Sequence, residues 1–256
     1  MKNNINRIVA YGCSYTAGDE IMDHVIIGVT LEECNRLKKE YLAKGTASSA
    51  NASKFKNDFN IQWNEPLHRA SSWAAQVAKL VNLPFENRAM NGSGLDEHYI
   101  KIYSDYEKGL ILDSDLVLVG LTSMNRMIDF RSKERIATLI SRNIPDDVGS
   151  RLLLEIYNDD YIVYQYFKTL SLLNSLSSKM KLLMQPMVND ILFKQLNKLD
   201  LRHTRHYAHN IWRECQPSIL SEFHLERSLE CEFGHPALES HIELAEKIHE
   251  NIKLQL

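Results

Sequence analysis

The chain is expected to fold as an α/β domain, a parallel sheet with helices on both faces. Three observations predict this. Residues 115–121 (DLVLVGL) form an unbroken, β-rich apolar run, the signature of a strand buried on both faces. Two more apolar runs of strand length stand at 7–11 (RIVAY) and 181–187 (KLLMQPM). Stretches of helical period separate them, and strand–helix alternation in this order builds a parallel sheet. In such sheets the functional site gathers at the carboxyl ends of the strands.

The elements follow in chain order. RIVAY is closed by Gly12, which marks a turn, and 13–20 (CSYTAGDE) is small and polar. Residues 32–44 read as a helix stopped by Gly45. Residues 46–70 have no period and read as a long irregular insertion, which is usually functional. Over 72–82, Trp73, Val77, Leu80 and Val81 share one helical face, with Ser71 or Ser72 as cap. A short strand is expected at 84–87, then a loop, RAMNGSG, and a helix over 95–108. Residues 146–178 read as helix in two pieces. The tract 190–228 is polar and His-rich, and a fifth strand could lie there. Pro236 opens a last helix with an apolar stripe of Leu238, Ile242, Ala245, Ile248 and Ile252; His241 is expected on its outer face.

Bulk properties narrow the function. The 256 residues suit one large α/β domain, 1–256, with insertions at about 46–70 and 190–228. A net charge of −3 gives no basic field, so nucleic acid is not an expected partner. No apolar run approaches a membrane span, and the short run after Met1 lacks the features of a signal peptide. A cytoplasmic protein is expected. Cys13, Cys34, Cys215 and Cys231 form no C-x-x-C pair and are read as free thiols.

Four short segments carry chemistry. In Gly12-Cys13-Ser14-Tyr15-Thr16-Ala17-Gly18, a serine follows a buried strand directly. If a helix starts there, free backbone N–H groups lie beside its hydroxyl and can hold an oxyanion. A plain helix cap explains the segment equally well. In Asn87-Arg88-Ala89-Met90-Asn91-Gly92-Ser93-Gly94, Gly92 allows close backbone approach and its N–H can be a second donor. Gly120-Leu121-Thr122-Ser123-Met124-Asn125-Arg126 brings neutral donors to the same sheet edge. In Glu232-Phe233-Gly234-His235-Pro236, His235 precedes the last helix and Glu232 can orient it, the relation of base and carboxylate in a triad.

In this order and spacing the four segments resemble the blocks of the SGNH hydrolases, the GDSL-like lipases and esterases. The pattern Gly-Cys-Ser-aromatic-Thr-x-Gly is similar to SGNH-like proteins of bacteriophages and bacteria. The resemblance implies a flavodoxin-like three-layer α/β/α sandwich with a parallel sheet of about five strands. It implies Ser14 as nucleophile, His235 as base and Glu232 as its acidic partner. It also implies an oxyanion hole from the N–H groups of Ser14 and Gly92 with Thr122 or Asn125. The expected activity is that of a serine esterase or deacetylase with no cofactor and no metal, and the expected partner is a small-molecule or carbohydrate ester.

Three departures stand out: Cys13 replaces the family's Asp, Glu232 replaces Asp, and Thr122-Ser123 replace Asn-Asp in the third block. The last removes an oxyanion donor, worth on the order of 3 kcal/mol in the transition state. A catalytically impaired carbohydrate-binding or phage-particle module is therefore the competing expectation, and acyl transfer a third. Cys13 is a weaker rival nucleophile, expected to face the core if Ser14 faces His235. His203, His206 and His209 match no standard metal spacing and read as a solvated face. The tyrosines at 157, 161, 164 and 166 fit a sugar subsite or core packing.

Overall fold

A computed structural model describes residues 5–18, 69–90, 92–124, 126–129, 136–139, 159–187, 201, 203–221, 223 and 238–255, with backbone alone at 126–129, 136–139, 159, 254 and 255. The strands expected at the start, middle and end of the sheet are present. They are β1 (Arg7–Tyr11), β2 (Phe85–Asn87), β3 (Asp115–Leu121) and, further on, Lys181–Pro186. Between them run α1 (Ser14–Ala17), α2 (Trp73–Leu80) and α3 (Leu95–Glu107).

After β3 comes an antiparallel pair, β4 (Arg126–Asp129) with β5 (Ile136–Leu139), which the sequence reading did not anticipate. Then follow α4 (Asp159–Ser175), a 3₁₀ turn at Leu176–Ser178, β6 (Lys181–Pro186), α5 (Arg205–Cys215) and α6 (Leu238–Gln255). The first piece of helix read over 146–178, the helix at 32–44 and most of the 46–70 insertion lie outside the described residues.

The main sheet has the order β2-β1-β3-β6, with all pairs parallel. Ile219 adds a parallel bridge to Met184, reinforced by Leu220 N–H donating to the Met184 carbonyl at 2.9 Å. The bridge occupies the place of a fifth strand beyond β6, within the tract where one could lie. The succession is that of a flavodoxin-like sheet, 2-1-3-4-5, whose ligand crevice opens where the order reverses beside β1.

Alternation along each strand builds two cores. Val9, Tyr11, Val117, Val119 and Leu121 face a cluster with α3, α4 and α5. Ile8, Ala10, Leu116 and Leu118 face the opposite cluster, with α2 and α6. Unbroken apolar runs are thus a two-faced strand, one residue to each side in turn. The result is three layers, helix–sheet–helix.

The last helix buries Ala245, Ile248 and Ile252 as its stripe implies, but Ile242 is 38% exposed. His241, expected on the outer face, is 0% exposed and faces α2. Its Nδ1 accepts the Trp73 backbone N–H at 3.0 Å. Trp73 is the first residue of α2, and a helix leaves its first N–H groups without intrahelical acceptors. Ser72 is the N-cap residue, yet its hydroxyl donates to the Arg69 carbonyl at 3.0 Å. His241 therefore caps α2 from another helix. Among the described residues no helix is long and apolar enough to cross a membrane.

Candidate active site

Ser14 is the first residue of α1, directly beyond the end of β1, and is 4% exposed. The short helix closes through Thr16 and Ala17 N–H groups donating to the Cys13 carbonyl and Gly18 N–H donating to the Ser14 carbonyl, all at 2.9 Å. The N–H of Ser14 precedes these bonds, as the first groups of a helix do. Gly18 ends the helix at φ 81°, the left-handed cap. Cys13 is buried in the cluster with Tyr15, Trp73 and Val77.

Thr16 joins the first and third blocks. A Cβ on Gly12 would meet its Oγ1 at 2.2 Å, and a Cβ on Gly120 would meet the same atom at 1.9 Å. Both glycines are required by this close approach: Thr16 fills the space over the ends of β1 and β3. Its Oγ1 also accepts from Trp73 Nε1 at 3.4 Å, and its carbonyl accepts from Asn87 Nδ2 at 2.9 Å. Asn87 turns its Oδ1 to the Ala89 N–H at 3.0 Å, bending the chain out of β2. Arg69 Nη1 clasps the same bend through the carbonyls of Asn87, 3.1 Å, and Ala89, 2.8 Å.

The second block lies along the first. Arg88 N–H donates to the Ala10 carbonyl at 2.8 Å and Met90 N–H to the Gly12 carbonyl at 2.9 Å, so the parallel ladder continues past β2. Ser93 N–H then closes a turn on the Met90 carbonyl at 3.3 Å. Gly92 occupies the third position of that turn at φ 74°, which a side chain would resist, and it is exposed. Ser93 Oγ returns to the Gly12 carbonyl at 3.1 Å. The loop carrying Gly92 is therefore bound on both sides to the residue two before Ser14.

At the third block, Met187 N–H donates to the Leu121 carbonyl at 3.0 Å, and Tyr166 Oη donates to the Thr122 carbonyl at 3.1 Å. Thr122 is buried. Tyr166 is a core residue of α4, while Tyr164 is exposed and packs its ring 5.4 Å from Tyr207. Asn125, Glu232, His235 and Tyr157 lie outside the described residues. The structure thus brings Ser14, Gly92 and Thr122 to one edge of the sheet.

Beneath this edge runs a charged network that sequence reasoning missed. Tyr11 Oη, from the last residue of β1, donates to Asp105 Oδ2 at 2.7 Å. Arg88 Nη1 donates to both Tyr11 Oη and Asp105 Oδ2 at 3.1 Å, while its Nε donates to Glu86 at 2.7 Å. Arg7 completes it between Glu86, 2.7 Å, and Asp115. Burial, then the Asp105 bond, raises the Tyr11 phenol, so it stays neutral and donating. The Arg88 bond holds the Glu86 carboxyl below its ordinary value.

The three histidines of the 203–209 tract divide. His203 precedes α5 and its N–H donates to Asp160 at 3.1 Å, whereas His206 and His209 lie on the helix. Burial and then Arg205 lower the His209 pKa, favouring the neutral ring. Among the described residues no group of three or more His, Cys, Asp or Glu could hold a metal ion.

No protein-family model matches the chain, and no curated protein matches it. Among solved structures it is similar to a protein provisionally assigned to the G-D-S-L lipolytic family from Desulfitobacterium hafniense DCB-2. That match has 12% identity and a TM-score of 0.46, over 96% of this chain and 99% of that one. It is similar to the acetyl xylan esterase Est2A from Butyrivibrio proteoclasticus, with 12% identity and a TM-score of 0.46, over 98% of this chain and 64% of that one. It is also similar to a family two carbohydrate esterase from Cellvibrio japonicus, with 13% identity and a TM-score of 0.47, over 97% of this chain and 61% of that one. The chain spans under two thirds of the length of the two esterases.

Proposed function

We propose that this chain is a serine hydrolase of the SGNH type that cleaves a short acyl ester, an O-acetyl group on a carbohydrate being the favoured substrate class. Ser14 attacks the ester carbonyl. His235 takes the Ser14 proton and returns it to the leaving alcohol, and Glu232 holds the imidazole in the required tautomer. The N–H groups of Ser14 and Gly92, with Thr122 or Asn125, receive the oxyanion. The reaction needs no metal or organic cofactor. One observation carries the reading: the Gly12 carbonyl accepts from Met90 N–H at 2.9 Å and Ser93 Oγ at 3.1 Å, which pins the Gly92 turn to the turn bearing Ser14.

A second reading keeps the fold but not the chemistry, as a carbohydrate-binding or virion module. The third block favours it: Thr122 stands where the family has Asn, and its side chain is buried. Labelling with a fluorophosphonate probe and turnover of p-nitrophenyl acetate separate the two. Wild type, Ser14→Ala, Cys13→Ala and His235→Ala are compared. Labelling and turnover are expected to vanish in Ser14→Ala, persist in Cys13→Ala and fall by about three orders of magnitude or more in His235→Ala. A folded wild type that neither labels nor turns over would leave the binding module standing.

A further inference from the structure

The second block holds a serine and a histidine in contact that the proposed chemistry does not use. Ser93 Oγ lies 2.8 Å from His98 Nε2, and both residues are 2% exposed. The pair looks like a nucleophile and its base. The protons say otherwise. A hydroxyl has one hydrogen, and Ser93 Oγ also faces two carbonyls, Met90 at 2.7 Å and Gly12 at 3.1 Å. Carbonyls only accept, so the one Ser93 hydrogen is shared between them, more with Met90 than with Gly12. Its lone pair then accepts from His98, and His98 carries its proton on Nε2. A serine oriented this way gives no proton to its histidine and is not activated for attack.

We propose that His98 and Ser93 form a latch that holds the Gly92 turn on the nucleophile turn. His98 lies in the first turns of α3, whose N-cap is Gly94, and that helix is anchored in the core through Leu95 and Ile102. The latch therefore runs from a fixed helix, through one hydroxyl, to the Gly12 carbonyl. Gly92 lies in the turn between the two attachments to that carbonyl, and its own exposed position supplies no packing. His98 and Ser93 are positioning residues; their catalytic consequence rests on the reading of Ser14 and Gly92 given above.

The test compares full-length Ser93→Ala, His98→Leu and His98→Gln with wild type. The amide exchange rate of Met90, whose N–H donates to Gly12, is read by NMR alongside kcat and KM for p-nitrophenyl acetate. Ser93→Ala and His98→Leu are expected to exchange Met90 at least about tenfold faster. They should lose about 10- to 100-fold in kcat with KM nearly unchanged, below the loss for deleting an oxyanion donor outright. His98→Gln keeps an N–H donor and should stay within about threefold of wild type on each measure. Loss of folded protein would instead lower apparent kcat at unchanged KM and speed the core amides of β3 along with that of Met90, whereas loss of the latch speeds Met90 and leaves β3 unchanged. Ser93→Ala deletes a single oxygen, so it serves should His98→Leu not fold. Unchanged exchange overturns the latch, whether or not kcat falls. If wild type turns nothing over, the hydrolase reading fails, and the exchange rates alone still decide the latch.

Discussion

Thr16 shows how a single residue can set the spacing of two strand ends. Its Oγ1 fills the space that a Cβ on Gly12 or on Gly120 would take. Gly120→Ala is therefore expected to destabilise the fold by about 2–3 kcal/mol, as overpacking does. In a Thr16→Ala background the same change should cost less, because the closest atom is gone. The Met187 contacts at 3.1 and 3.3 Å would then remain tight. Denaturant unfolding of the four proteins measures the coupling. Additive costs would mean that Thr16 does not wedge the two strand ends. The sequence made both glycines visible, as turn and as block start. Thr16 was not visible, since its partners are brought to it only when β1 and β3 pair. Ser93 and His98 were hidden for the same reason: polar types in a loop and a helix start are common, and their use depends on which carbonyl they meet.

At the scale of elements, helical period located α2, α3 and α6 closely, and apolar runs located β1, β3 and β6. Period alone misread the inward edge of α6, placing Ile242 inside and His241 outside. A stripe is assigned by apolar type, whereas burial follows the partner helix, and here that partner offers an N–H for His241 to accept. The β4–β5 pair went unread because its residues follow no strict alternation. The capping role of His241 predicts a specific contrast. His241→Leu leaves the Trp73 N–H buried without its acceptor and should cost about 1–3 kcal/mol. His241→Asn, whose Oδ1 can take the place of Nδ1, should recover part of that. Chemical denaturation decides it, and a leucine variant as stable as wild type would remove His241 from the cap.

Over the whole molecule, the order β2-β1-β3-β6 puts Arg7 and Arg88 beside Glu86, Asp105 and Asp115, joining the strands to α3 through charge. Pairing order was not written in any one segment, so this network was not legible, although the parallel sheet itself was. It has a consequence at both ends of the pH scale. The Glu86 carboxyl is lowered in the fold, chiefly by its bond to Arg88, so its contribution is present above the unfolded carboxyl value and is lost as pH falls through the folded one. Its partial exposure keeps that contribution small. Tyr11 works in the opposite sense. Burial and the Asp105 bond raise its phenol, so its contribution is complete below the unfolded value near 10 and is lost as pH rises beyond it. Stability is therefore expected to decline above about pH 10, where the unfolded chain ionises this phenol and the folded chain does not. Tyr11→Phe should be less stable at neutral pH, having lost the bonds to Asp105 and Arg88, but should decline less steeply on the alkaline side. Tyr207, also raised by burial, is present in both proteins and cancels in the difference. Unfolding free energies between about pH 7 and 11 give the two slopes. Parallel slopes would mean that the phenol of Tyr11 titrates alike in the folded and unfolded chains, and the network would then lose its buried anchor under the site.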